Sequence, residues 1–206
     1  MINYLDPSAP LINEFLGVDK AIQNIQEQLQ NDLGWLGNHA FGRAFKQELV
    51  KILPGQSSRK LIYYPEVYQA GGEPLNVMPN DNLRAQSFFY VNDPIKAIDY
   101  LPGHNSIFTA PASLVVWINL KKLNVIATAR TTEQLKLQVL VTLGKFSNVY
   151  VTKTFESYEN VFSNYTILEE YREYMKFPYT AFRIDFDLSY RILVGDPNIC
   201  YSPLKS

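Results

Sequence analysis

The 206-residue chain holds one cysteine and two histidines. A lone thiol, Cys200, makes no internal disulfide, so the fold does not rest on oxidation. Catalytic thiols sit in electropositive pockets, whereas Cys200 sits in a proline-containing tail and reads as incidental. A metal cluster of nitrogen and sulfur ligands needs several such side chains together, and His39, His104 and Cys200 are the whole stock. Nothing in the sequence orients a cysteine–histidine dyad among them. An excess of one charge is also missing: 19 basic residues face 20 acidic ones, and no basic run is longer than Lys121-Lys122. No strong field draws the chain to nucleic acid or to an anionic membrane. The longest apolar stretch, around residues 114–118, falls far short of the roughly 18 residues of a membrane span. Residues 1–10 carry Asp6 and two prolines without an apolar segment, so no secretory signal is expected there. Synthesis in a reducing cytoplasm is the expectation. Asn164-Tyr165-Thr166 fits a glycosylation acceptor, a chance match without secretion.

Aromatic side chains are abundant, with 14 Tyr and 12 Phe. Tyrosine packs with its ring and bonds with its hydroxyl, which suits protein interfaces and equally suits the rim of a β-rich core. The clearest pattern runs from Thr180 to Leu193. Phe182, Ile184, Phe186, Leu188, Tyr190 and Ile192 share one parity; Arg183, Asp185, Asp187, Ser189 and Arg191 share the other. Alternation of this kind predicts a long strand with one buried face and one wet, charged face, in an antiparallel sheet covered on one side only.

Two helices are expected. Phe15, Val18, Ile22, Ile25, Leu29 and Leu33 recur at spacings of three and four, which predicts a helix over 18–32 that Gly34 stops. Thr131 or Thr132 caps a second helix from Glu133 to about Gly144, with Leu135, Val139, Leu140 and Leu143 on one face. Residues 41–52 are ambiguous between helix and strand. Residues 61–68 and 75–78 read as short extended runs joined by a turn at Gly71-Gly72, with Pro65 placing the first at a sheet edge. Residues 87–91 and 149–154 read as strands, and 114–123 as a strand buried on both faces near Val115, Val116 and Ile118. Residues 168–175 suit a short charged helix that ends before Pro178. No βαβ rhythm is present. The fold class is therefore α+β, a mainly antiparallel twisted sheet with helices packed on one face. Residues 18–194 form one domain, between an N-terminal arm (1–17) and a C-terminal tail (195–206).

The sharpest chemical candidates are Asp185 and Asp187. On one strand face they stand about 6.5–7 Å apart, a spacing that clasps a divalent cation in metal-assisted phosphoester chemistry. Glu169, Glu170 and Glu173 are possible third ligands that equally suit a solvent-facing helix. The competing reading pairs Arg183 and Arg191 with the aspartates as a solvated charge ladder. Glycines 34, 37 and 42 lack the preceding strand and the following Gly-Lys-Ser/Thr of a phosphate loop. Tyr63, Tyr64 and Tyr68 around the glycine turn suit a peptide- or protein-binding surface.

The order of elements resembles phage tail-terminator and head–tail joining proteins. The opening helix, the run Ala112-Ser113-Leu114-Val115-Val116-Trp117-Ile118-Asn119-Leu120-Lys121-Lys122, the helix from Glu133 and the closing Phe182-Arg183-Ile184-Asp185-Phe186-Asp187-Leu188 carry it. The middle run also resembles prophage-encoded structural proteins of Bacteroidota-type hosts. Residues 63–91 are longer than such compact domains need. The resemblance implies a non-enzymatic virion subunit, made in the bacterial cytoplasm, without cofactor or bound metal. It implies self-association into a ring, often hexameric, and contact with other tail or connector proteins, with no membrane and no sequence-specific nucleic acid as partner. The candidate contact residues are Arg183, Asp185, Asp187, Arg191, Tyr63, Tyr64 and Tyr68.

Overall fold

The computed structural model describes residues 16–52, 58–68, 73–99, 106–123 and 129–192. Helix α1 (Gly17–Asp32) occupies the expected stretch and buries Val18, Ala21, Ile22, Ile25 and Leu29 along one stripe. Helix α2 (Ala129–Leu143) starts ahead of the expected Glu133 and buries Leu135, Val139 and Leu143. Two short helices, α3 (Tyr158–Val161) and α4 (Glu169–Arg172), lie between the last two strands, and a 3-10 turn (Glu173–Met175) follows α4. After α1 the chain reverses through a 3-10 turn at Gly37–His39, where Gly37 takes φ +56°, a left-handed backbone that suits a residue without Cβ.

The ambiguous stretch after that turn is extended. It forms β1 (Ala40–Arg43) and β2 (Phe45–Ile52), followed by β3 (Arg59–Tyr68), β4 (Pro74–Asn76), β5 (Ala85–Val91), β6 (Lys96–Asp99), β7 (Ser106–Asn119), β8 (Val149–Phe155) and β9 (Tyr179–Ile192). The main sheet runs β1-β5-β7-β9-β8, with β6 also paired to β7; only β1–β5 is parallel. A separate sheet is ordered β2-β3-β4. The class is α+β with a mainly antiparallel main sheet, as expected. β9 pairs along β7 from Ser106↔Ile192 to Asn119↔Tyr179.

The alternation of β9 is realised, but its second face is not wet. Phe182, Ile184, Phe186, Leu188 and Tyr190 join Phe89, Leu114, Val116 and Ile118 in the core beneath α1 and α2. The opposite face carries a second core. There Phe88, Tyr90, Val115, Trp117 and Ala181 meet Val67 and Val77 from the small-sheet region and Val161, Phe162 and Tyr165 from the α3 segment. The sheet is thus covered on both sides, because residues 157–179 fold back over the charged parity of β9. Trp117 stacks on Tyr179 (centroids 5.4 Å) and its Nε1 donates to the Tyr174 carbonyl at 2.8 Å.

Pro65 corrects a second expectation, since β3 is the central strand of its sheet and not an edge. In an antiparallel ladder, the N–H and C=O of a residue face the same neighbour. The Pro65 carbonyl accepts from Val77 N at 3.1 Å, just beyond the end of β4, so its missing donor falls where the regular ladder has stopped. The Val77 carbonyl, deprived of that donor, accepts instead from the buried Gln86 Nε2 at 2.7 Å. Pro111 is tolerated inside β7 in the same way. Its carbonyl accepts from Asn92 N, in the gap between the β5 pairing that ends at Ala112 and the β6 pairing that begins at Thr109.

Gln86 therefore ties the small sheet to the main one. Gln86→Leu leaves the Val77 carbonyl unsatisfied and is expected to lower unfolding stability by about 1–3 kcal/mol, read as a lower urea midpoint at unchanged slope.

Candidate functional site

On the second face of the main sheet, cross-strand register sets Tyr90, Ser113, Asp185 and Lys153 in one row and Phe88, Val115, Arg183 and Phe155 in the next. The two rows are joined by charge. Arg183 Nε lies 2.9 Å from Asp185 Oδ1, and Arg183 Nη2 donates to Oδ2 at 3.3 Å. The Ser113 hydroxyl donates to Asp185 Oδ1 at 2.7 Å, and Asn92 Nδ2 donates in turn to Ser113 Oγ at 3.3 Å. Arg183 Nη1 donates to the Asn160 carbonyl at 2.5 Å and to Ser163 Oγ at 2.7 Å, while the guanidinium carbon stands over the Phe155 ring, 4.3 Å from its centroid. The arginine side chain is 11% exposed and the aspartate 23%. Burial pushes the neighbouring Tyr90 hydroxyl above the ordinary phenol range, against the lowering effect of Ser113 and Arg183.

This arrangement is a clamp. It fastens the α3 segment to β9 through one guanidinium whose two Nη groups donate inside the protein, while its Nε, buried without a hydrogen-bond partner among the described residues, faces Asp185 as an ion pair only. The expected charge ladder is present in one pair, Arg183–Asp185, in which the arginine is largely buried and the aspartate keeps partial contact with water. Asp187 stands one pleat further along the same face, opposite Pro111 and Tyr150, and is partly exposed. Asp185 and Asp187 do not act as a free pair, because the Asp185 carboxylate is turned into Arg183 and Ser113. Arg191 sits about 26 Å along the strand from Arg183, opposite Ile107; its Nε is buried without a hydrogen-bond partner among the described residues. Glu169 pairs with Arg172 on the exposed α4, and no group of three or more His, Cys, Asp or Glu converges among the described residues.

The three tyrosines of β3 lie on the other sheet. Tyr63 bonds through its backbone to Thr166, its N–H to Oγ1 at 3.0 Å and its carbonyl to N at 2.8 Å, and its ring lies 3.9 Å from Lys46 Nζ. Tyr64 packs against the second core, its hydroxyl raised in pKa by desolvation and by Glu66. Tyr68 is exposed, with its ring on Phe45 (5.8 Å) and its hydroxyl accepting from Gln47 at 3.3 Å. Gly71, Gly72, His104 and Cys200 lie outside the described residues. His39 and Gly37 line a cleft of about 650 Å³ with Arg84 and Lys122. Both of those cations donate to backbone carbonyls, Arg84 to Gly34 and Lys122 to Asp81.

The feature that sequence reasoning missed is the β2–β3 hairpin. Leu49 faces Ile62 on one side, where Ile62 is 3% exposed and lines a groove with Tyr64, Leu168, Glu170 and Tyr171. Val50 faces Leu61 on the other side, with Ile52 and Arg59 as the next pair. There Val50 and Ile52 are each 59% exposed and Leu61 is 42% exposed. No period-2 pattern marks residues 45–52, because apolar residues point both ways. The only sequence signal is the density of Leu, Val and Ile at 49, 50 and 52. No protein-family model matches the chain, and no curated protein matches it.

Two outcomes test the clamp. Arg183→Met strands the Asp185 charge and is expected to cost about 2–4 kcal/mol in urea unfolding, somewhat below the range for fully buried pairs because Asp185 keeps some water contact. Adding Asp185→Leu removes the stranded charge and restores most of that loss. The aromatic packing beside the clamp sets an alkaline limit. Burial pushes Tyr158, whose hydroxyl donates to the Tyr179 carbonyl at 2.9 Å, up to about 12. Burial, then the neighbouring Tyr90, pushes Tyr165 up too. A phenol held neutral by the fold contributes stability that is fully present below its unfolded pKa of about 10 and is lost as pH rises through the folded value. Unfolding free energy is thus expected to fall from about pH 10 upward, and Tyr158→Phe is expected to flatten that fall; tyrosinate absorbance during urea titrations reads both.

Proposed function

We propose that this chain is a non-enzymatic structural subunit that works by assembling with copies of itself, in the manner of a phage tail terminator or head–tail joining protein. The observation that carries the reading is the exposed aliphatic face of the β2–β3 hairpin, where Val50, Ile52 and Leu61 adjoin through strand register. Scattered exposed aliphatics are normal, but a contiguous set on a strand pair is the mark of a contact surface. Strands β2 and β8 each end their sheet, which offers further pairing edges. On β8, Tyr150 and Val151 are exposed. The order of helix, sheet, helix and closing strand supports the phage reading. The metal-clasp alternative gains nothing from Asp185, whose charge is matched by Arg183.

Light scattering behind size-exclusion chromatography tests the proposal. The expected result is a discrete mass at a small integer multiple of 23.6 kDa, with annular particles in negative stain. A single-chain mass at every concentration overturns the assembly reading. A discrete oligomer whose gene has no portal, capsid or tape-measure gene beside it overturns the virion assignment alone.

A further inference from the structure

We infer that the exposed face of the β2–β3 hairpin is the grip by which one copy holds the next, and that it seats on the acidic, Phe177-bearing segment of residues 156–177 of the neighbouring copy. The inference rests on the assembly reading and adds which two surfaces meet.

Three observations point to this pairing. The first is apolar area with no cover among the described residues on both sides of the joint. The hairpin offers Val50, Ile52 and Leu61, and the other surface offers Phe177, which is 74% exposed. The second is charge. On the open face, strand register sets Lys46 and Arg59 beside the aliphatic side chains against Glu48 alone, while Lys51 and Lys60 lie on the opposite face. Residues 156–177 carry Glu156, Glu159, Glu169, Glu170 and Glu173 against Arg172 and Lys176. Glu156 is tied to Lys136, Glu169 to Arg172, and Glu170 lines the groove against the hairpin of its own chain, which leaves Glu159 and Glu173 to meet a basic partner. The third is precedent within the fold. The far side of the same hairpin already rests on this acidic segment in its own chain, with Leu49, Lys51, Ile62 and Tyr64 lining a groove with Leu168, Glu170 and Tyr171. A neighbouring copy would repeat that chemistry on the open side.

The two surfaces are different patches of one chain, so the contact is heterologous. Such a contact runs head to tail and either closes into a ring or grows into a filament. Opposite charge sets the register of the joint, and apolar burial supplies most of its strength.

A photoreactive benzoylphenylalanine at position 50, in a mixture of isotope-labelled and unlabelled chains, tests the pairing. The expected product is a mixed-isotope cross-link between position 50 and a peptide within 156–177. A mixed cross-link to the hairpin of the second copy means hairpin-to-hairpin pairing and overturns the inference. So does an absence of mixed cross-links from a wild-type oligomer. Val50→Glu with Ile52→Glu, both on an exposed face, is expected to reduce the assembled mass to that of one chain while the thermal melt is retained. Arg59→Glu is expected to weaken assembly, and Glu173→Arg in the same chain to restore it. An oligomer indifferent to the double glutamate variant overturns the grip and leaves the assembly reading standing. A wild-type chain that is monomeric throughout overturns both.

Discussion

The pairing of β7 with β9 is the constraint on which the other elements depend. Fourteen residues of each strand run side by side, from Ser106↔Ile192 to Asn119↔Tyr179. Because side chains alternate across a strand, this one ladder assigns every residue of both strands to a layer. Even positions such as Leu114, Val116, Phe182 and Ile184 go beneath the two long helices. Odd positions such as Val115, Trp117 and Ala181 go to the aromatic layer opposite. A slip of one residue would exchange the two sets and send Arg183 and Asp185 beneath α1 and α2. The Arg183 clamp penalises that slip: after it the guanidinium loses Ser163 and the Asn160 carbonyl, and Asp185 loses the Ser113 hydroxyl.

The first layer was legible in the sequence and the second was not, for a definite reason. Period-3.6 spacing in α1 and period-2 alternation in β9 are both written in apolar residues, which report burial directly. The second layer is assembled from tyrosines and from charged positions. Tyr90 and Tyr165 are buried there, and Tyr64, Tyr158, Tyr171, Tyr174 and Tyr179 pack against it. An amphipathic ring is consistent with a core rim and with a wet surface alike, so composition leaves the choice open. Arg183 hides its burial still better. Its parity mates Asp185 and Asp187 make the face look solvated, and its partners Asn160 and Ser163 come from a stretch with no periodic pattern. Double-sided burial was readable in β7, where Val115 and Val116 are adjacent and both apolar.

Pro65 misled for a related reason, and Pro111 obeys the same physics. Pro65 and Pro111 each sit inside a strand flanked on both sides, a position that a missing N–H argues against. The rule concerns the donor, and each donor is missing where no regular ladder partner stands: past the end of β4 for Pro65, and between β5 and β6 for Pro111. The remaining acceptor at Val77 is met by Gln86, a polar residue in a strand buried along nearly its whole length. A buried glutamine in such a run is the sequence trace of a backbone group that secondary structure has left unpaired.

The distribution of polar and apolar groups separates what holds the subunit together from what it presents. On the sheet face Arg183 and Asp185 are matched to one another, so this pair contributes little to the outer field. Aliphatic side chains on the hairpin are turned outward, which costs solubility unless a second surface covers them. A hairpin of two strands with one short third strand is weak by itself. Here it is anchored at Tyr63 by paired backbone bonds to Thr166 and on one face by Ile62 against Leu168 and Tyr171. That anchorage holds Val50, Ile52 and Leu61 in a fixed array without burying them. A preorganised apolar array loses less conformational entropy on contact than a loop that must first be ordered, so a joint built on it can be strong at modest area. The anchoring segment, residues 166–171, lies within the acidic stretch proposed to receive the neighbouring hairpin. Hairpin and proposed receiving surface are therefore braced against one another within the chain.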